Sequence, residues 1–301
     1  MKRSNLLICA LIVVFSSCND NEVFKKEMYK NVVALISSDY YNSFQETVPL
    51  QSTGDGYVGY IAASSGGTHA PTKDLVIGLE EDATPLDLYN RSLYDIDDKL
   101  YARFLSRDKY EIENYEIRIK SGERTGKTMI KIHPDGLSPD STYFIGLKAI
   151  DVSGVEINPK KNTILYQILI KNDYATQADN VYYSMSGLVN GMVTAGNKKL
   201  FPLTYNRVRM VAGTETFEST IAKINKTAVI LEVDDQHHVI IKPYKDIDVQ
   251  QVDGDLKYPN TFKVEESFGH VYNVFLLSYE YTINGVKKSM QEELRLEVGV
   301  K

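Results

Sequence analysis

The chain contains no tryptophan, two cysteines and five histidines among 301 residues. Each scarcity excludes a class of chemistry. Two cysteines, Cys9 and Cys18, cannot build the disulfide framework of a small secreted scaffold. The histidines are scattered. Adjacent His237 and His238 would point to opposite faces of a strand, so they make a poor metal pair. DDQHH, lying between TAVILEV and VIIKP, reads as a hairpin turn. His69 stands near Ser64 and Ser65, but the strained G-x-S-x-G turn of a serine hydrolase is missing. Basic residues are outnumbered, 34 Lys and Arg against 40 Asp and Glu. An acidic chain without clustered Lys and Arg lacks what neutralises phosphates, so nucleic acid is excluded as a partner. No apolar run approaches the roughly 20 residues of a transmembrane helix.

The longest apolar run, LLICALIVVF, follows Lys2 and Arg3 and precedes Ser16-Ser17-Cys18. A charged start, a short apolar core and small residues before the cut describe a secretory signal peptide. The cysteine directly after the small residues makes it a lipoprotein signal, although Phe15 stands where such signals usually carry leucine. Residues 1–17 are therefore expected to be removed and Cys18 to be acylated as the first mature residue. Residues 18–23 would form a tether. Loss of Lys2 and Arg3 takes the formal charge from −6 to −8. The mature chain would then have no free thiol, and its stability must rest on apolar burial.

What fills the rest is short apolar runs broken by Gly, Pro, Asn, Asp and Ser. They include DGYVGYIAAS, KDLVIGLEE, STYFIGLKAI, TILYQILIK, TAVILEV and VYNVFLLSYEYT. Many short strands with a turn signal about every ten residues predict an all-β sandwich or barrel. One helix is expected around PLDLYNRSL, with Thr84 as its N-cap ahead of Pro85. The polar stretch KNDYATQADN separates two domains, 24–172 and 179–301. Near the end, Asn284-Gly285 is a strong two-residue hairpin signal. In the returning strand Met290, Leu294, Leu296 and Val298 should share the core face.

KSGERTGKT, residues 120–128, imitates a phosphate-binding loop. Only three residues separate Gly122 from Gly126, one short of the P-loop spacing. The required strand-to-helix context is also missing, since MIKI after Thr128 is β-favouring and Pro134 ends it. Alternation in YEIRIK marks a half-buried strand, so the stretch is expected to be a β-hairpin turn. Among the acidic clusters, Asp246, Asp248, Asp253 and Asp255 come nearest to a calcium set. None has EF-hand spacing, and solvated loops account for them. No metal or cofactor is expected.

Twenty-one tyrosines stand against the missing tryptophan. A tyrosine offers a flat apolar face with a polar tip, which suits sugars, though many will be sheet residues. Those in loops of the second domain, Tyr205, Tyr244 and Tyr258, are the candidate glycan-stacking set. Catalytic residues are not identified.

Three stretches carry a resemblance: LVIGLEEDATPLDLYN (75–90), YARFLSRDKYEIENYEIRIKSGERTGKTMIKI (101–132) and GLSPDSTYFIGLKAID (136–151). Their order resembles the N-terminal β-sandwich domain of the DUF1735 type in Bacteroidetes surface lipoproteins. YYSMSG and the closing hairpin are similar to the DUF4361-type domain that often follows it. The acidic patch after Cys18 (Asn19, Asp20, Asn21, Glu22) resembles the surface-export signal of such lipoproteins. The resemblance implies an Ig-like antiparallel sandwich followed by a meander- or barrel-like antiparallel domain. It also implies a non-enzymatic protein that captures glycans at the outer surface, lipid-anchored in the outer membrane, within a polysaccharide utilisation system. The alternative is an adhesive protein that binds an outer-membrane transporter.

Overall fold

The computed structural model describes residues 28–178 and 181–300. The expected signal peptide, Cys18 and the 18–23 tether lie outside the described residues. Two successive β-sandwiches follow, each with its own apolar core.

The first contains β1 (Val32–Leu35), β2 (Ser43–Pro49), β3 (Tyr57–Gly66), β4 (Leu75–Glu81), helix α1 (Thr84–Tyr94), β5 (Arg103–Phe104) and β6 (Tyr110–Ile112). It continues through β7 (Glu116–Ile119), β8 (Thr125–Ile132), β9 (Tyr143–Asp151), β10 (Glu156–Ile157) and β11 (Thr163–Lys171). One sheet runs β10-β1-β3-β8-β6; the other runs β2-β11-β9-β4-β7, with β5 beside β9. Most pairs are antiparallel. β1–β10, β2–β11 and β5–β9 are parallel. The alternation seen in sequence becomes burial: Ile117, Ile119, Ile130 and Ile132 are all fully enclosed between the sheets.

The hairpin expected at KSGERTGKT is corrected. β7 pairs with β4, whereas β8 pairs with β3 and β6. The turn is an arch that carries the chain from one sheet to the other, so the two strands face each other across the core. Alternation on each arm is the same for a hairpin and an arch, and only the long-range partners distinguish them. Both glycines of the false P-loop have structural roles. Gly122 adopts a left-handed φ of 83° in the turn. A Cβ on Gly126 would lie 2.3 Å from the Arg118 carbonyl oxygen, so β8 can approach β7 there only without a side chain.

Helix α1 forms where expected, one residue out of register. Thr84 is its first residue rather than its cap, and the Thr84 amide donates to Asp82 Oδ1 at 2.9 Å. Leu86 and Asn90 face inward; Asn90 exchanges two hydrogen bonds with the Ala102 backbone. The helix thereby covers Phe144 and Leu165 on the outer face of the β9 sheet.

The second sandwich contains β12 (Tyr183–Val189), β13 (Met192–Lys198), β14 (Phe201–Thr204), β15 (Arg207–Val211), helix α2 (Ile221–Thr227), β16 (Ala228–Val233) and β17 (Val239–Pro243). Then come β18 (Asp248–Gln251), β19 (Thr261–Ser267), β20 (His270–Ile283) and β21 (Val286–Val300). β14-β15-β16-β17 form an antiparallel meander. It packs on a sheet ordered β13-β12-β21-β20-β18, with β19 on β20. DDQHH does join two paired strands, β16 and β17. Asn284-Gly285 closes the β20–β21 hairpin with φ of 53° and 76°, the pair of left-handed residues a type I′ turn requires. Met290 and Leu294 enter the core and Leu296 packs at its edge. Val298 is corrected: the ladder passes from Gly299 to Glu297, skipping Val298 as a bulge, and it is half exposed.

Candidate functional site

Among the described residues only one acidic side chain lies in the core of the second sandwich, and alternation along β21 places it there. Glu292 sits between Met290 and Leu294 on the inward face and has no exposed surface. The Lys198 ammonium, at the end of β13, donates to Glu292 Oε1 at 2.8 Å and makes an ion contact with Oε2 at 2.6 Å. The Tyr279 hydroxyl donates to the same Oε1 at 2.7 Å and accepts from the Gly213 amide at 2.7 Å. A buried ion needs such partners, because desolvation is otherwise unopposed. Burial pushes the Lys198 ammonium below its usual range while Glu292 works against that shift. Burial, with Glu292 beside it, holds the Tyr279 phenol well above its own. Gly213 has a φ of 50°, and a Cβ there would lie 2.1 Å from the Tyr281 hydroxyl, so this crossing admits glycine alone.

Above this network the second domain opens into a cleft of about 390 Å³. That is the size range of small-molecule sites, about 300–1,000 Å³. β13 supplies one side through Thr194 and Asn197, and Lys198 closes the floor. The opposite side is aromatic: Phe201 from β14 and Phe217 from the loop after β15 stack with centroids 5.3 Å apart and planes 23° from parallel. Tyr182 stands at the mouth, 51% exposed. Lys199 lies 5.6 Å from the Phe201 ring and 6.0 Å from the Tyr182 ring. Glu215, also in the wall, is held by Lys288 at 2.7 Å and Tyr281 at 3.3 Å. The cleft therefore offers flat rings beside neutral amide and hydroxyl groups, with both carboxylates already engaged.

Phe201 also belongs to a junction between the domains. Arg209, on β15 and 1% exposed, makes two 2.6 Å hydrogen bonds to Asp140 of the first domain. Its guanidinium lies between the rings of Phe201 (4.7 Å) and Tyr244 (5.0 Å). Burial would lower its pKa, but Asp140 and Tyr244 outweigh that and raise it. Gln177 donates to the carbonyls of Pro139 and Ser141 at 3.1 and 2.9 Å. The GLSPDSTY turn is thus gripped from two directions.

The three tyrosines singled out from sequence are not brought together. Tyr205 is exposed at the β14–β15 turn. Tyr244 is half-buried against Arg209, at the other end of the meander. Five residues of β16 separate the two levels, roughly 17 Å at strand rise. Tyr258 is enclosed, 6% exposed, so its ring has no free face for a sugar. The cleft's rings were missed because Phe201 and Phe217 look like ordinary core residues. The available signal was Phe217 in a polar loop, GTETFES.

The acidic set is also engaged locally. Asp248 accepts from Thr282, Asp253 from Gln251, and Asp255 from the amides of Lys257 and Tyr258. Among the described residues no group of three His, Cys, Asp or Glu side chains could hold a metal ion. Ser65 Oγ donates to the Gly66 carbonyl at 3.3 Å and not to His69.

Comparison with known proteins agrees with this architecture. A family model described as an N-terminal domain matches residues 24–156, and one described as C-terminal matches 162–295. The second span begins with β11, a strand of the first domain's sheet. Among solved structures, a multidomain protein including DUF1735 from Bacteroides ovatus superposes with a TM-score of 0.66 at 12% identity, over 88% of this chain and 94% of that one. A protein of unknown function from Bacteroides ovatus gives 0.61 at 16% identity, covering 92% and 93%. An auxiliary nutrient binding protein from Bacteroides thetaiotaomicron gives 0.58 at 15% identity, covering 87% and 94%. No curated protein matches by sequence. The chain is a two-domain all-β protein carrying both the N-terminal and the C-terminal domain of this architecture. It shares this two-domain fold with the multidomain protein including DUF1735.

Proposed function

We propose that the protein is a non-enzymatic glycan-binding lipoprotein, anchored through Cys18 at the outer surface of the outer membrane and serving a polysaccharide utilisation system. The observation that carries this reading is the aromatic cleft of the second domain. Phe217 and Tyr182, about half exposed, offer faces to the apolar side of a sugar ring, Phe201 backs Phe217 by stacking, and Thr194 and Asn197 suit the sugar's hydroxyls. The engaged state of Glu215 and Glu292 favours binding over hydrolysis, because glycoside hydrolysis needs two carboxylates flanking the scissile bond. The structural neighbour from Bacteroides thetaiotaomicron, an auxiliary nutrient binding protein, is in keeping with this role.

A glycan array with the purified protein, alongside Phe217→Ala and Tyr182→Ala, tests it. Binding to one sugar class that is lost in either variant is the expected result. A blank array from well-folded protein would shift weight to the alternative, a protein-binding lipoprotein partnering an outer-membrane transporter. One feature favours that alternative: β13 is an edge strand whose Met192 and Val193 are 66% and 88% exposed, open to strand addition.

A further inference from the structure

The outer face of the β9 sheet is covered at both ends. Helix α1 lies over Leu165 at one end, and Leu169, at the other, is 8% exposed where the second domain approaches. Between them β11 presents Gln167, which pairs in register with Gln45 of β2. The two glutamines line a groove of about 440 Å³ between the domains. Among the described residues neither amide has a hydrogen-bond partner, although Gln167 is half-buried. Ser141 and Thr142 lie beside them, and Lys199 and Phe201 of the second domain form the far side. Those last two residues also line the aromatic cleft. Cleft and groove therefore meet along one ridge.

We propose that this groove is a second carbohydrate subsite, and that one oligosaccharide runs from the aromatic cleft over the Lys199–Phe201 ridge onto Gln45 and Gln167. The inference rests on the glycan reading of the cleft and extends it to the first domain. The two surfaces differ as a chain ligand requires: rings on one side for stacking, uncharged amides and hydroxyls on the other for bonding hydroxyl groups. Asp140 in the groove wall is bonded to Arg209 and Lys199 packs over the Phe201 ring, so the glutamine amides are the groups left to bond hydroxyls, and they suit a neutral glycan. The junction at Arg209 and Asp140 fixes the two halves at one spacing, so the ligand meets a preorganised track. The ligand class is a neutral glycan longer than either pocket holds, bound along its length rather than by an end.

Calorimetry with linear gluco-, manno-, xylo- and galacto-oligosaccharides, from disaccharides to octasaccharides, tests this on the purified protein. Gln45→Ala, Gln167→Ala and Phe217→Ala are compared with it. Affinity is expected to rise with chain length and then level off. Each glutamine variant should weaken the long oligosaccharides by about fivefold, the loss of one hydrogen bond, and leave disaccharide binding unchanged. Phe217→Ala should weaken both. If the glutamine variants bind long chains as tightly as the parent while Phe217→Ala does not, the second subsite falls and the cleft reading stands. If Phe217→Ala changes nothing either, or no oligosaccharide binds, both fall together.

Discussion

The two sandwiches solve the same packing problem in different ways. In the first, no charged side chain is buried among the described residues, and the core tyrosines send their hydroxyls outward to carboxylates at the rim. Tyr57 and Tyr166 reach Glu46, and Tyr110 and Tyr115 reach Glu81. In the second, a full ion pair and a tyrosine lie inside: Lys198, Glu292 and Tyr279. The polar network sits directly under the cleft, where Lys198 serves both as floor and as counter-ion. An apolar core needs no specific partners and tolerates small rearrangements. A buried ion pair is strongly penalised if either member moves, so it fixes the cleft floor in one geometry. The second domain thus accepts an unfavourable desolvation at the place where shape matters.

That contrast can be broken most sharply at Glu292. Glu292→Ala strands the Lys198 charge and should destabilise the second domain by about 3–5 kcal/mol, whereas the double change Lys198→Met with Glu292→Leu should recover most of it. Thermal unfolding followed by calorimetry reads both, and equal losses in the single and double variants would count against the pair. The junction comes next. Asp140→Asn weakens two hydrogen bonds to a buried guanidinium and should cost about 1.5–3 kcal/mol, seen as a lower denaturation midpoint and faster proteolysis between the domains. In the first domain, Gly126→Ala pushes a methyl against the Arg118 carbonyl and should cost about 1–3 kcal/mol by overpacking, measured by urea unfolding.

The smallest effect is a pH dependence. In the first domain Tyr89 and Tyr115 are each raised from 10.0 to about 12, chiefly by burial. A raised phenol stabilises the fold fully below pH 10 and loses that contribution as pH climbs toward 12. In the second domain Tyr279 acts in the same sense, but Lys198, depressed from 10.5, acts oppositely, gaining stability as pH rises toward the unfolded value. The first domain should therefore lose stability sooner on alkaline titration. Tyrosinate absorbance combined with thermal melts would check this, and simultaneous loss in both domains would remove the distinction.

Much of the fold was legible in sequence because its signals are local. Period-two alternation marked the strands, Asn284-Gly285 marked a hairpin, and Pro85 marked the start of a helix. The cleft was not legible, for three separate reasons. Phe201 and Phe217 come from a strand and a loop that meet only after folding. Alternation puts Glu292 on the face of Met290 and Leu294, but nothing local shows that Lys198 and Tyr279 meet it there and let it stay buried. The loop tyrosines were equivalent in sequence, but in the structure Tyr258 is enclosed, Tyr244 braces an arginine and Tyr205 alone remains open.

By itself, the sequence determined that this chain is all β, where its main turns fall and which side of most strands is apolar. These follow from backbone sterics and from side chains that alternate along a strand whatever its partner. Only the tertiary structure decided that β7 and β8 part into different sheets, that Glu292 and Lys198 are buried together, and that Phe201 joins the cleft to the domain junction. Those outcomes depend on which distant surfaces exclude water against each other, a property that no short stretch of the chain contains.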